Sequence, residues 1–353
     1  MHGSATAKQA RALLFRVSNV IAKADGRVTQ REEKLLENLR EKLWTSVIEI
    51  SPASPNDSAL PPAPTPARVT TTDPSSRETA RHCDEPTVEE LLQQLNSLVG
   101  LASVKRDVEE LVNFLRIQEV RRTRGLPVVS LSQHLVFAGN PGTGKTTVAR
   151  LIASIYRALG IVSKGHLVET DRSGLVARYV GQTAIKTRQI AESALGGVLF
   201  IDEAYALAGR EGDSGTEAIE ILLKFMEDHR NDFVVIVAGY PARMQAFLEA
   251  NPGLRSRFNR QLYFDNYSQE ELLEIFELLC HQATYSIAPQ TREKIRTLLA
   301  DAVGKADDAF GNARFVRNLF EDSLRNQATR LVHLTDIGLT TLTTLEPEDI
   351  SNS

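Results

Sequence analysis

A glycine-rich segment between an apolar run and an amphipathic pattern is the clearest chemical feature of the sequence. It reads Gly139-Asn140-Pro141-Gly142-Thr143-Gly144-Lys145-Thr146 and matches the phosphate-loop pattern G-x-x-x-x-G-K-[ST] in full. Glycines let backbone N–H groups converge on phosphate oxygens, and the start of a following helix adds the positive end of its dipole. We expect Lys145 to reach the β- and γ-phosphates of a nucleotide, Thr146 to hold Mg²⁺ and Thr147 to border the bound nucleotide.

A pair of acids follows the apolar run Val198–Ile201. A buried strand of a parallel sheet delivers the residues that follow it to the carboxyl edge, where ligands bind. Asp202 would therefore anchor the Mg²⁺ shell, and Glu203 would polarise an attacking water. Two adjacent acids alone usually mark only a strand end. Together with a complete phosphate loop they predict nucleotide hydrolysis.

Two arginine groups could act on the same phosphates. Arg255, Arg257 and Arg260 follow an Asn-Pro-Gly turn that should expose them at a domain edge. There, one of them could neutralise charge on the γ-phosphate of a neighbouring subunit, although a solvated basic face is the alternative. Arg314 and Arg317 lie one turn apart at the start of a predicted helix, so both can face a nucleotide cleft.

Two aromatic positions have a structural and a functional interpretation. Tyr179-Val180-Gly181 is an aromatic, aliphatic and glycine triplet in a predicted loop. Such residues are usually buried in the core. At the centre of a ring-shaped oligomer, however, the aromatic side chain could bind a polypeptide through apolar contact. Tyr240 follows the predicted strand Phe233–Ala238 and either senses the γ-phosphate or packs at the strand end.

These candidate residues need a sheet to position them, and short apolar runs predict one. Such runs are typical of strands covered on both faces of a parallel α/β sheet. They are His134–Ala138, His166–Glu169, Val198–Ile201, Phe233–Ala238 and Leu262–Phe264. After Tyr267 the pattern is helical without an intervening strand, which predicts a small helical subdomain. Its helices are Gln269–Gln282, Gln290–Val303 and Asn312–Leu331.

Composition divides the chain and limits its partners. We expect a helical module at 1–50, a flexible linker at 51–86 with eight of the 14 prolines, an α/β domain at 87–267 and the helical subdomain at 268–353. A formal net charge of −4 and the absence of a basic patch or base-stacking aromatic cluster do not favour nucleic acid or an anionic membrane as partner. Two distant cysteines and the lack of an apolar membrane segment predict a cytoplasmic protein.

From about Glu89 to its end, the chain resembles the CbxX/CfqX branch of the AAA+ ATPases. The resemblance implies a P-loop NTPase fold with a five-stranded parallel sheet, a helical lid, ATP and Mg²⁺. It also implies a homohexamer that pulls a peptide segment of a protein client into a central pore. The blocks that carry the resemblance are, in order, "LNSLVGLASVKRDVEELV", "GNPGTGKTTVARL", "YVGQTA", "VLFIDEAYAL", "TEAIEILLKFMEDHRNDFVVIVAGYPARM", "NPGLRSRF" and "GNARFVRN".

Motif position in that family assigns roles to several residues. Tyr179 is similar to the pore-loop aromatic, with Val180 and Gly181 beside it. Arg257 resembles the arginine finger supplied to a neighbouring subunit, and Arg314 the lid arginine that contacts the γ-phosphate. Val99 and Gly100 lie in the block that borders the adenine.

The N-terminal region has a resemblance of its own. "IAKADGRVTQREEKLLENL" resembles the TerB-like helical family and also half an EF-hand. Ile21 and Lys23 occupy positions that need oxygen ligands, so we expect an interaction module and no calcium site. The module would recruit an unidentified client or an adaptor. The alternative function for the whole chain is a nucleotide-dependent assembly or scaffold protein that does not thread its partner.

Overall fold

A computed structural model describes the chain from the end of the predicted linker almost to its last residue. The described ranges are 86–128, 132–179, 181–209, 213–307, 310–334 and 337–351. The predicted N-terminal module at 1–50, residues 51–85 of the linker and Val180 lie outside them. Within these ranges no helix combines the length and the apolar character that crossing a bilayer requires.

Two helices precede the sheet, α1 (Val88–Asn96) and α2 (Ala102–Thr123). A capping box begins α1, because the Thr87 hydroxyl accepts the Glu90 N–H at 3.2 Å and the Glu90 carboxylate accepts the Thr87 N–H at 2.8 Å. The α/β part then runs, in chain order, β1 (Leu135–Gly139), α3 (Lys145–Ala158), β2 (Leu167–Thr170), α4 (Arg172–Leu175), α5 (Thr183–Ser193), β3 (Val198–Ile201), a 3₁₀ turn (Ala204–Leu207), α6 (Ser214–Asp228), β4 (Val234–Gly239), α7 (Pro241–Glu249), α8 (Pro252–Arg257) and β5 (Arg260–Phe264).

The five strands form one parallel sheet in the order β2-β3-β4-β1-β5. The predicted five-stranded parallel sheet is therefore confirmed, and each strand boundary lies within two residues of its predicted position. Strands β1, β3 and β4 are buried along their whole length, as strands covered on both faces should be. Since β4 alone separates β1 from β3, the phosphate loop and the acid pair emerge about 10 Å apart at one edge.

Alternation along the strands divides the core into two clusters. Val136 and Leu199 belong to one cluster, whereas Phe137 and Phe200, the next residues along each strand, belong to the other. The Phe137 cluster continues into the C-terminal helices through residues such as Phe276. The helical subdomain therefore shares a core with one face of the sheet.

The C-terminal subdomain is helical, as predicted, but it contains a strand pair. Its elements are α9 (Gln269–Gln282), β6 (Ser286–Ile287), α10 (Pro289–Gly304), α11 (Ala313–Leu331), α12 (Leu339–Thr343), β7 (Thr344–Leu345) and a 3₁₀ turn (Pro347–Asp349). The prediction that no strand interrupts these helices is wrong, because β6 and β7 pair in parallel. Two residues are too few to show a strand period, and the pairing joins positions 58 apart in sequence.

Candidate active site

A cleft of about 370 Å³ opens at the carboxyl edge of the sheet, between the sheet and the helical subdomain. It brings together the phosphate loop after β1, the acids after β3 and the start of α11. The lining residues are Gly139, Pro141, Gly142, Gly144, Lys145, Thr146, Thr147, Asp202, Glu203, Gly239, Tyr240, Ala313, Arg314 and Arg317. Most of the predicted phosphate-binding and acidic residues therefore share one cavity.

The phosphate loop is shaped to present backbone N–H groups. Gly144 has φ +90°, a conformation that favours glycine, and it directly precedes α3. No side chain caps this helix start, so its first N–H groups can bind an external anion. Asn140 and Thr143 do not line the cleft. The Thr143 hydroxyl donates to the Asn140 carbonyl at 2.8 Å and the Asn140 amide donates to Asn266 Oδ1 at 3.0 Å, so both hold the loop in shape.

The charged amine of Lys145 forms hydrogen bonds with carbonyl groups of its own loop. Its Nζ donates to the Gly139 carbonyl at 2.8 Å and to the Asn140 carbonyl at 2.7 Å. Burial, with a smaller contribution from the charge of Arg314, lowers the pKa of Lys145 to about 8, although Asp202 and Glu203 oppose the shift. Partial burial of this positive charge is costly, so a bound phosphate would relieve the cost.

The acid pair is held by the backbone at the end of β3. The Asp202 N–H donates to the Thr170 carbonyl at 2.8 Å, and Asp202 Oδ1 accepts the Glu203 N–H at 3.0 Å. Glu203 adopts the left-handed conformation, with φ +48° and ψ +41°, which costs a non-glycine residue about 1 kcal/mol. Such strain is characteristic of functional positions, and here it places an exposed carboxylate on the cleft wall.

The donors in the cleft fit Mg²⁺ bound together with a nucleotide. Thr146 and Asp202 line the same cleft and offer the hydroxyl and carboxylate oxygens that Mg²⁺ prefers. Within the described ranges, no three His, Cys, Asp or Glu side chains are placed to hold a metal by themselves. Phosphate and water oxygens would therefore complete the Mg²⁺ shell, as is usual for this ion.

The two arginine groups occupy different places. Arg314 and Arg317 line the cleft from the first turns of α11, as predicted. Arg257 does not line it. Its side chain is 28% exposed and its Nη2 lies 3.2 Å from Glu227 Oε2, so the expected exposure holds for Arg255 but only in part for Arg257.

Arg257 borders a second and larger cleft of about 580 Å³ at the amino ends of the strands. His134 also borders it, and burial, followed by the charge of Arg257, lowers the pKa of His134 to about 4. The ring accepts the Val235 N–H at 3.0 Å through Nδ1, which fits a neutral histidine. This cleft lacks the phosphate loop and the acid pair, so the smaller cleft is the candidate active site despite its size.

The remaining predicted residues lie away from the cleft. Tyr179 is 67% exposed in the loop that follows α4, so the alternative of burial in the core is wrong. Gly181, in the same loop, is exposed. Val99 and Gly100 do not line the cleft, and Gly100 instead packs closely against Tyr267 and Glu271.

Sequence reasoning missed an aromatic cluster and a buried asparagine beside the site. The Arg243 guanidinium lies 5.1 Å from the ring centre of Tyr205 and 5.2 Å from that of Tyr240, and Tyr240 lines the cleft. Asn312 is fully buried directly before α11. The position of Tyr205, two residues after the acid pair, could have indicated the aromatic cluster. No neighbouring residue in the sequence indicates that Asn312 is buried beside the site.

The chain matches two protein-family models and is similar in sequence to several known proteins. Residues 135–266 match the model of the ATPase family associated with various cellular activities (AAA), and residues 268–353 match the AAA lid domain. Stage V sporulation protein K of Bacillus subtilis is 41% identical over 266 residues, which cover 75% of this chain and 83% of that protein. Protein CbbX of Cereibacter sphaeroides is 40% identical over 287 residues, covering 80% of this chain and 92% of that protein.

The chain is also similar to a third relative in sequence and to a solved structure in fold. The plasmid-encoded protein CbxX of Cupriavidus necator is 44% identical over 270 residues, covering 74% of this chain and 84% of that protein. A Thermotoga maritima RuvB variant of known structure has a TM-score of 0.49 and 22% sequence identity, covering 72% of this chain and 68% of that one.

Proposed function

Because the chain belongs to the AAA+ ATPases, in the branch of CbbX, CbxX and stage V sporulation protein K, we propose that it is a hexameric protein-remodelling motor. The chain is an ATPase. The motor would pull a peptide segment of a client protein into a central pore. The observation that carries the proposal is the cleft in which Lys145, Glu203 and Arg314 meet, with exposed Tyr179 on a separate loop.

In the proposed reaction, different residues of the cleft bind the phosphates, activate water and bind Mg²⁺. Loop N–H groups and Lys145 bind the β- and γ-phosphates of ATP, and Arg314 offsets charge on the γ-phosphate from the lid side. Glu203 accepts a proton from water as the water oxygen attacks the γ-phosphorus, and the bond from that phosphorus to the bridging oxygen breaks to leave ADP. Thr146 and Asp202 would hold Mg²⁺, which neutralises phosphate charge when bound.

The proposed active site is completed between subunits. Arg257 lies outside the cleft of its own chain, so its positive charge could act only on the nucleotide of a second copy. Arginine fingers generally contribute about 10³–10⁵ in kcat. To act in this way Arg257 must exchange Glu227 for a phosphate oxygen, and the exchange is feasible because the ion pair is partly exposed.

Complementation between two inactive variants tests the shared site. Lys145→Ala should not bind ATP, and Arg257→Ala should bind ATP but lose most hydrolysis. A mixture of the two should regain part of the activity, because an Arg257→Ala cleft can receive the intact arginine of a Lys145→Ala subunit. Arg255→Ala, which changes an exposed arginine in the same helix, should keep normal turnover. A mixture as inactive as its components would refute the shared site.

Threading is tested separately, with proteins that copurify with Glu203→Gln in ATP as the substrates. Tyr179→Ala should keep basal ATPase activity and lose stimulation by these clients. Tyr263→Ala is the matched control, because it removes an aromatic that is 53% exposed on β5. Full stimulation of Tyr179→Ala would favour the alternative, an assembly protein that does not thread its partner.

The N-terminal module would recruit the client. If the predicted linker of about 35 residues is flexible, it would span on the order of 30 Å and raise the local concentration of a client near the pore. Deletion of residues 1–86 should leave assembly and basal ATPase activity intact and abolish client stimulation. A deletion variant that no longer assembles in light scattering, or that still responds fully to client, would reject this role.

A further inference from the structure

Asn312 has an uncommon backbone conformation for a residue with a side chain. Its φ is +46° and its ψ is −124°, outside the small left-handed α region that Leu101 and Glu203 occupy. Its relative exposure is 0%. A conformation of this kind is strained and persists only where surrounding contacts impose it.

Those contacts come from two distant parts of the chain. The two N–H groups of the Asn312 side chain are shared among three acceptors, Asn266 Oδ1 at 2.9 Å, the Phe310 carbonyl at 3.0 Å and the Pro141 carbonyl at 3.2 Å. Its Oδ1 accepts the Tyr267 N–H at 3.0 Å. One amide therefore joins the phosphate loop, the connection between sheet and lid, and the segment before α11.

The backbone around Asn312 is equally close to the phosphate loop. The Ala313 N–H donates to the Gly142 carbonyl at 3.2 Å. A Cβ at Gly142, whose φ is +72°, would lie 2.1 Å from the Gly311 carbonyl oxygen, so no larger residue fits there. The lid thus rests directly on the loop that would hold the phosphates.

From this junction we propose that Asn312 is a positioning residue that sets the angle of the lid on the phosphate loop. Since α11 begins at the next residue, the same contacts determine where Arg314 and Arg317 enter the cleft. The functional part of this inference rests on the proposed role of Arg314, whereas the lid angle does not. The alternative is that apolar packing of α11, through Val316 and Leu319, holds the lid without Asn312.

The lid angle is measured by pulsed electron paramagnetic resonance on the full chain. Spin labels would be attached through Lys224→Cys on α6 and Ala328→Cys on α11, both exposed, in a Cys83→Ser background. Asn312→Gly removes the side chain while tolerating the backbone conformation, and Asn312→Asp keeps its size but loses the donors. Both should broaden or shift the distance distribution. Asn318→Gly, an exposed change on the same helix, should leave it unchanged.

Hydrolysis supplies the second readout. Asn312→Gly should lower kcat by roughly ten- to a hundredfold, since a misplacement of about 1 Å can cost up to ~10². Added to Arg314→Ala, it should lower kcat little further, because both changes remove the same contact. An unchanged distance distribution in either Asn312 variant would overturn the inference, whatever the rates. If Arg314→Ala keeps full kcat, the proposed role of Arg314 fails, and the distances still decide the role of Asn312.

Discussion

Replacing Lys145 with methionine should remove a pH-dependent contribution to the stability of the nucleotide-free protein, and the same change should abolish ATP binding. The lysine keeps its charge in a partly buried cleft, where burial lowers its pKa from 10.5 to about 8. The folded state therefore holds this proton less tightly than the unfolded chain does. Methionine has a similar length and no charge, so it does not incur this cost.

The size of the effect follows from two opposing contributions. A pKa difference of about 2.5 corresponds to roughly 3 kcal/mol of destabilisation at pH 7, at about 1.4 kcal/mol per unit. Methionine also loses two hydrogen bonds from the charged amine to the Gly139 and Asn140 carbonyls, worth about 1.5–3 kcal/mol each. These losses offset the relief from burial, so Lys145→Met should be no more stable than the wild type at pH 7, and less stable by up to about 3 kcal/mol.

The pH dependence gives the sharper test. Between pH 8 and 10.5 the unfolded state binds a proton that the folded state does not, so wild-type stability rises with pH across that window. From pH 7 to 9.5 the wild type should gain about 2 kcal/mol that Lys145→Met does not, so the wild type should exceed the variant in stability by a larger margin at pH 9.5 than at pH 7. Urea unfolding of both proteins at the two pH values measures this difference.

A matched lysine and a ligand control complete the experiment. Lys224→Met changes an exposed lysine and should follow the wild type at both pH values. Mg²⁺ and ATP should raise the Tm of the wild type and of Lys224→Met but not that of Lys145→Met. If the two proteins share one pH profile, the argument from burial is wrong.

Two further predictions concern other buried ionisable groups. His134, with a pKa lowered to about 4 by burial and by Arg257, should make the protein lose up to ~3 kcal/mol between pH 6.5 and 4, because only the unfolded state is protonated in that window. His134→Gln, which cannot titrate, should show a smaller loss in urea unfolding at pH 7 and 4.5, and an equal loss would contradict the assignment. Asp349→Ala should cost about 3 kcal/mol in thermal unfolding, because Asp349 is 1% exposed and accepts two hydrogen bonds from Arg330, at 2.8 and 2.7 Å. Glu293→Ala, which breaks an exposed ion pair, should cost less than about 1 kcal/mol, and equal effects of the two changes would refute the distinction.

The sequence by itself determined the features that depend on neighbouring residues. The phosphate loop is a local backbone shape, so its glycines and the strand and helix around it could be predicted from spacing alone. The location of the acid pair at a strand end could be predicted because an apolar run of four residues directly precedes Asp202. Parallel strands share one carboxyl edge, so the meeting of these two motifs was also predictable. Arg314 and Arg317 are one helical turn apart, which placed them on one side of α11.

Only the tertiary structure decided the contacts between distant residues. The pairing of β6 with β7 depends on how the helices of the lid pack together. A strand of two residues is too short to show an alternating pattern in the sequence, so the pairing could not be predicted. Arg257 was predicted to be exposed, but Glu227, 30 positions earlier, holds it in an ion pair. Asn312 meets Pro141 across 171 positions. The low pKa of Lys145 likewise arises from burial, which is a property of the assembled cleft and not of the loop sequence.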